Sequence, residues 1–259
     1  MSSATTDIEI TRRDRIQTLR LNRPAKKNAL TSAMYAALAD ALASGDAADD
    51  VTAHVFVGSG GVFSAGNDIP DFIASSQAGG ALGGEVERFV RLLPRVAKPM
   101  IAAVDGPAVG VGATLLLHCD LVYAAPAARL SMPFLDLGLV PEAGSSLLLP
   151  MRMGYARAFE MLVLGEIFDA ERAREAGLVN RVVPADELEQ VALAAARRLS
   201  MKPPEALAIA RRLMRGDTTA LEARMTEEVG AFRRCLASPE AMEAFRAFME
   251  KRPPVFRRG

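Results

Sequence analysis

The sequence predicts an α/β core of ββα repeats wound as a spiral, followed by a helical C-terminal region, and three observations predict it. A strand, a turn and a helix-like apolar stretch recur in that order in the passages beginning at Val51, Met100 and Ala128. From Pro184 onward the hydrophobic pattern is helical throughout. The chain has 259 residues, half of them hydrophobic, which is enough to bury a sizeable core. The expected division is a spiral core over residues 1–184 and a helical region over residues 185–259.

The elements follow in chain order. "IEITRRDRIQTLRLNRP" alternates apolar and polar residues and suits a hairpin turning at Arg13-Asp14 and ending at Pro24. In "TSAMYAALADALASG" Leu30, Met34, Leu38 and Leu42 recur every four residues, Thr31 or Ser32 can cap the start, and Gly45 is the expected stop. A strand over Val51 to Val57 runs directly into "GSGGVFSAGNDIPDF". The small residues of Ala74 to Gly84 bury little and offset little ordering entropy, so that segment is expected to be mobile. A helix around Val86 to Val96 precedes a strand (Met100 to Val104), the turn "GPAVGVG", a helix (about Val111 to Cys119) and another strand (Leu121 to Ala124). Short apolar pieces then flank "PEAG", with a helix-like "YARAFEMLVLG" after them. Leu188 to Leu199, Pro204 to Met214, Leu221 to Leu236 and Pro239 to Met249 are the candidate C-terminal helices.

Composition removes several function classes. Thirty-one basic residues balance thirty-one acidic ones, leaving no bulk attraction to nucleic acid or an anionic membrane. Cys119 and Cys235 lie far apart in apolar contexts, as reduced thiols of a reducing compartment do. The N-terminus lacks an apolar signal core and no run reaches the roughly 20 apolar residues of a membrane span, so a cytoplasmic protein is expected. The dinucleotide fingerprint fails, because Phe63 and Leu115 stand where a third Gly or Ala belongs. No glycine turn ends in Gly-Lys-Ser/Thr, and Val62 stands where a nucleophile elbow before Ser64 needs glycine. His54 and His118 are the only imidazoles, neither has a partner at metal-ligand spacing, and both are expected in core or helix-end positions with no metal bound.

What remains is a site made of backbone. A strand followed by Ser-Ala-Gly-Asn can turn sharply into a helix with N–H groups directed outward, and Gly106 to Gly112 does the same before an apolar helix. Two helix-start donors converging on one carbonyl oxygen form an oxyanion hole. The plainer reading is that these glycines only permit tight turns and close packing.

"LNRPAKKNAL", "VFSAGNDIPDF", "KPMIAAVDGPAVGVGATLLLHCDLVYAA" and "AREAGLVNRVVP" together resemble the crotonase (enoyl-CoA hydratase/isomerase) superfamily over nearly the whole chain. The resemblance implies a ββα spiral, a helical trimerisation region giving a homotrimer or dimer of trimers, and an acyl-CoA thioester as substrate. Coenzyme A is then part of the substrate, and no separate cofactor is expected. By motif, the two thioester donors are the peptide N–H groups of Asn67 and Val111.

The same resemblance bears on the reaction. The family's hydratases carry two glutamates at positions held here by Thr114 and Phe134, which disfavours addition of water. Glu142, in "LVPEAGSS", stands where peroxisomal-type Δ3,Δ2-enoyl-CoA isomerases carry their single glutamate. One base suffices to take a proton from C2 and return it at C4. Glu142 also suits a solvated helix start, and Asp136 in the same passage is the competing carboxylate. Ser64, Ala65, Gly66, Asn67, Asp68, Lys26 and Phe134 are the expected substrate contacts. Lys27 and Lys251 are further candidates for the CoA phosphates, although exposed lysines are usually only solvated. The expectation is an enoyl-CoA isomerase; a hydratase or other CoA-thioester enzyme, and a non-catalytic acyl-CoA binder, are the alternatives.

Overall fold

The computed structural model describes residues 7–72 and 84–256, so most of the segment expected to be mobile lies outside the described residues. β1 (Ile8–Arg13) and β2 (Ile16–Leu21) form the expected antiparallel hairpin, with Asp14 and Arg15 both at positive φ in its turn. β3 (Ala53–Gly58), β4 (Met100–Val104), β5 (Pro107–Val109), β6 (Leu121–Ala124), β7 (Arg129–Ser131), β8 (Phe168–Asp169) and β9 (Arg181–Val182) follow. They sort into a six-stranded sheet, β1-β2-β3-β4-β6-β9, and a three-stranded sheet, β5-β7-β8.

Each repeat crosses from the larger sheet to the smaller one before entering a helix. The chain passes from β4 to β5, and from β6 to β7; β3 is followed by Ser64, which bridges Ala108 of β5. Parallel pairing of β2 through β3, β4 and β6 to β9 requires such long crossovers. The two glycine-rich turns therefore occupy equivalent places in successive repeats, at the edge of the small sheet.

β3 and β4 are buried almost throughout because both faces of the large sheet are covered. Phe56, Ala102 and Val104 enter the main core with Met34, Leu38 and Leu42 of α1 (Ser32–Ala47). Val55, Val57, Ile101 and Ala103 pack on the other face against Leu188, Ala192 and Ala196 of a C-terminal helix, Ala185–Ser200. Side chains of that size each contribute roughly 1.5–3 kcal/mol when a Val, Ile, Leu or Phe is fully buried.

Thr31 caps α1, accepting from the Met34 N–H, but the helix does not stop at Gly45. It continues to Ala47, since Gly45 lies against buried Gln17 and His54 and tertiary packing there outweighs its low helix propensity. α2 (Gly84–Leu92) ends in a 3₁₀ turn, Leu93–Arg95, around Pro94. The apolar helix expected from Val111 is α only over Val111–Thr114 (α3), tightening to 3₁₀ over Leu115–His118. α4 (Ser145–Met153) and α5 (Tyr155–Leu162) come next, and a short α6 (Ala170–Glu175) follows β8. The C-terminal helices are α7 (Ala185–Ser200), α8 (Pro204–Arg215), α9 (Thr219–Leu236) and α10 (Pro239–Glu250), close to the expected spans. Phe232 and Phe245, from the last two, pack with Phe72 just beyond the first glycine-rich turn.

Candidate active site

The turn over residues 64–68 is held from both sides. Ser64 N–H donates to the Pro107 carbonyl (3.0 Å), Ala65 N–H to Lys27 (2.9 Å) and Asp68 N–H to Leu30 (2.9 Å), while the Gly66 carbonyl accepts from Leu30 N–H (2.8 Å). The buried Ser64 hydroxyl donates to the Asn28 carbonyl (2.9 Å) and accepts from Gly66 N–H (3.1 Å). Among the described residues, Asn67 alone in this turn has an N–H with no acceptor.

Gly66 brings the two glycine-rich turns together. Its φ is +86°, and a Cβ there would stand 2.9 Å from the Val109 carbonyl oxygen, so only glycine fits without displacement. Val109 N–H donates back to Ser64 (2.9 Å), and Gly110 N–H to Ser131 (2.9 Å). Val111 then opens α3, and its N–H also has no acceptor among the described residues, as expected of a first-turn donor.

Glu142 is 6 % exposed, not the solvated turn residue that its sequence context allows. Its Oε1 accepts from the Thr114 hydroxyl at 2.5 Å, which ties the carboxyl to the short helix that Val111 begins. Burial pushes its pKa from the ordinary 4.5 up to about 7; the Thr114 bond opposes that rise and Glu228 reinforces it. A buried carboxyl that ionises near neutrality can both accept and return a proton. Asp136 is exposed in the 3₁₀ turn Leu135–Leu137, with its carboxylate facing Gly165.

Asp68 has its carboxylate engaged by Arg23 at 2.7 Å and by the Asp71 N–H, which makes it a support of the turn. Burial works against its ionisation, yet the Arg23 guanidinium holds it below the ordinary carboxylate range. Phe134 is buried in the main core. Lys26 and Lys27 are exposed beside the turn that Ala65 joins, and Lys251 is exposed at the end of α10.

Sequence reasoning missed Tyr35 and Glu228, and it placed His118 in the core or at a helix end without finding its partner. Tyr35 of α1 is 1 % exposed and donates its hydroxyl to Asn67 Oδ1 at 2.5 Å. Burial, then the charges of Glu142 and Asp71, raises its phenol well above the usual value. The one sequence signal was a polar-tipped aromatic on the apolar stripe of α1. Glu228 of α9 is buried against the start of α4, accepting from Gly144 and Ser146. His118 joins its Nε2 to the Ala143 carbonyl at 2.8 Å, and because a carbonyl only accepts, that nitrogen carries the hydrogen. Burial lowers His118 to about 3 and His54 to about 4, so both imidazoles are neutral at physiological pH. Among the described residues no cluster of acidic, His or Cys side chains could hold a metal ion, and no helix is long and apolar enough to cross a membrane.

Residues 11–259 match the enoyl-CoA hydratase/isomerase family. The chain is 36 % identical to 1,2-epoxyphenylacetyl-CoA isomerase of Escherichia coli K12 over 93 % of its own length and 94 % of that protein. It is 35 % identical to enoyl-CoA delta isomerase 2 of Rattus norvegicus, covering 96 % of this chain and 64 % of the rat protein. It is 33 % identical to 2,3-dehydroadipyl-CoA hydratase of E. coli K12, covering 97 % and 98 %. An enoyl-CoA hydratase/isomerase crystal structure from Pseudoalteromonas atlantica superposes with a TM-score of 0.92 at 41 % identity, covering 97 % of this chain and all of that one.

Proposed function

This chain is a member of the enoyl-CoA hydratase/isomerase family, and from that premise we propose that it converts 3-enoyl-CoA to 2-trans-enoyl-CoA. Coenzyme A enters as part of the substrate, and assembly as a trimer or dimer of trimers belongs to the same reading. The observation that carries it is Glu142: a buried carboxyl poised near pH 7, bonded to the helix that begins with the free N–H of Val111.

In this mechanism the thioester oxygen accepts from Asn67 N–H and Val111 N–H. Charge gathers on that oxygen as the Glu142 carboxylate removes a proton from C2, and donors already in place stabilise it without reorganising. The double bond moves to C2–C3 as the Glu142 carboxyl returns the proton at C4. Thr114 bonds the base and Phe134 lies in the apolar core, so neither supplies the second carboxylate that the family's hydratases use to activate water.

The two reactions separate in one assay. Purified protein should convert 3-enoyl-CoA at a rate far above its hydration of 2-enoyl-CoA. Hydration as fast as isomerisation would overturn the assignment, and tight binding of both thioesters without turnover would make the protein an acyl-CoA binder.

A further inference from the structure

Glu142 sits at the entry of a turn whose first residue, Ala143, holds a backbone conformation that alanine disfavours. The next residue, Ala143, has φ +57°, and Gly144 has φ +74°. A left-handed alanine persists only where the surroundings over-determine it. Three bonds do so here: His118 Nε2–H donates to the Ala143 carbonyl (2.8 Å), the Ser145 hydroxyl donates to the Glu142 carbonyl (2.6 Å), and Glu228 accepts from Gly144 N–H (2.6 Å).

Glu228 does more than close that turn. It reaches in from α9 and also accepts from Ser146 N–H (3.0 Å) and the Ser146 hydroxyl (2.6 Å), capping the start of α4. A helix start carries partial positive charge, which by itself would favour the ionised form of a nearby carboxyl. Glu228 places its carboxyl against that start.

The geometry points to Glu228 as a positioning residue that locks the Ala143-Gly144 turn and, through its charge, adds to the effect of burial on the pH range over which Glu142 works. This rests on the reading of Glu142 as the proton shuttle. Among the described residues, these groups face the pair. Glu142 accepts from the neutral Thr114 hydroxyl of α3 and interacts through charge with the Tyr35 phenol of α1 and with Glu228 of α9. Glu228 meets the Ser146 and Gly144 donors and, on its own helix, Arg224. His118, the remaining contact of the turn, is neutral. Burial raises Glu228 while the bonds from Ser146 and Gly144 and the charge of Arg224 oppose the rise.

The test is a carboxyl-¹³C NMR titration of Glu142 in the full chain, with its resonance identified by Glu142→Gln, beside the pH profile of kcat/KM. In Glu228→Gln the Glu142 midpoint should fall by about half a pH unit or more, and the acid limb of the profile should move down with it. Glu228→Ala, which also frees the turn, should lower kcat by roughly tenfold or more with little change in KM, and Glu228→Gln should recover part of that loss. Ser146→Ala, which keeps Glu228 but removes a donor that favours its charge, should shift the midpoint the same way by less. It serves as the second variant if Glu228→Gln does not fold. An unmoved Glu142 midpoint in the folded variants overturns the proposal. Full activity in Glu142→Gln would instead overturn the proton-shuttle reading, and the NMR midpoint would still report whether Glu228 acts on Glu142.

Discussion

Glu142 meets opposed demands, since a proton shuttle must ionise near neutrality while a fold is least disturbed by a buried carboxyl that stays neutral. Glu142→Gln keeps the shape and removes the base, so isomerase turnover should fall by roughly 10²-fold or more with acyl-CoA binding retained. Steady-state kinetics beside a binding isotherm checks both. The same substitution should raise stability at alkaline pH. Glu142 titrates in the fold at about 7 against an ordinary 4.5, so the folded state holds its proton more tightly. Below pH 4.5 both states are protonated and nothing is lost; as pH rises from 4.5 to about 7 the unfolded chain releases its proton while the fold keeps it, so stability falls and the loss is complete once pH has passed 7. The loss is on the order of 3 kcal/mol, because each tenfold difference in proton affinity between the two states is worth about 1.4 kcal/mol. Glu142→Gln should therefore unfold at higher temperature than the parent at pH 8.5 and at a similar one at pH 4, by calorimetry.

At the scale of the element, the residue 64–68 turn works through its backbone. Asn67→Pro deletes the one N–H there that lacks an acceptor, and the expected cost is roughly 2.7–4 kcal/mol of transition-state stabilisation, the scale of one lost oxyanion donor. Parent-like turnover by a folded Asn67→Pro variant would exclude that N–H from the mechanism. Gly66→Val should be as damaging, because its Cβ meets the Val109 carbonyl at 2.9 Å and drives the two turns apart. The Asn67 side chain has a separate task. Asn67→Ala leaves the buried Tyr35 hydroxyl without its acceptor, which should cost about 1–3 kcal/mol of stability while the peptide donor and much of the activity survive. Denaturant melts read alongside turnover distinguish the two effects.

Over the whole molecule, the C-terminal helices are built into the core that carries the site. α7 covers one face of the large sheet, α9 delivers Glu228 to the turn after Glu142, and α9 and α10 deliver Phe232 and Phe245 to Phe72. Phe232→Ala should remove about 3–5 kcal/mol of stability, since the ring is 2 % exposed within the main cluster. The physical coupling makes a further expectation: activity in this variant should decline at a lower temperature than in the parent, together with loss of the tertiary near-ultraviolet signal. Activity that outlasts that signal would show the site to be independent of the C-terminal region.

The sequence by itself determined the order of elements, the repeat, the helical C-terminus and the chain of glycine-rich turns. Those features live in local periodicity and turn chemistry, which neighbouring residues set together: the alternation of β1 and β2, the four-residue spacing of α1, the glycines ahead of Asn67 and Val111. Through the resemblance it also ranked Glu142 first and Asp136 second as the candidate base, without showing the surroundings of either. The tertiary structure distinguished them, because burial is a property of everything packed around a residue: Glu142 is enclosed and bonded to Thr114, whereas Asp136 lies exposed near Gly165. Gly45 read as a helix stop until packing against Gln17 and His54 carried the helix past it. Tyr35 and Glu228 gave little local signal and His118 none for its partner, since each acts on a residue far away in the chain, and only folding brings a hydroxyl to Asn67, an imidazole to Ala143 and a carboxylate to Gly144.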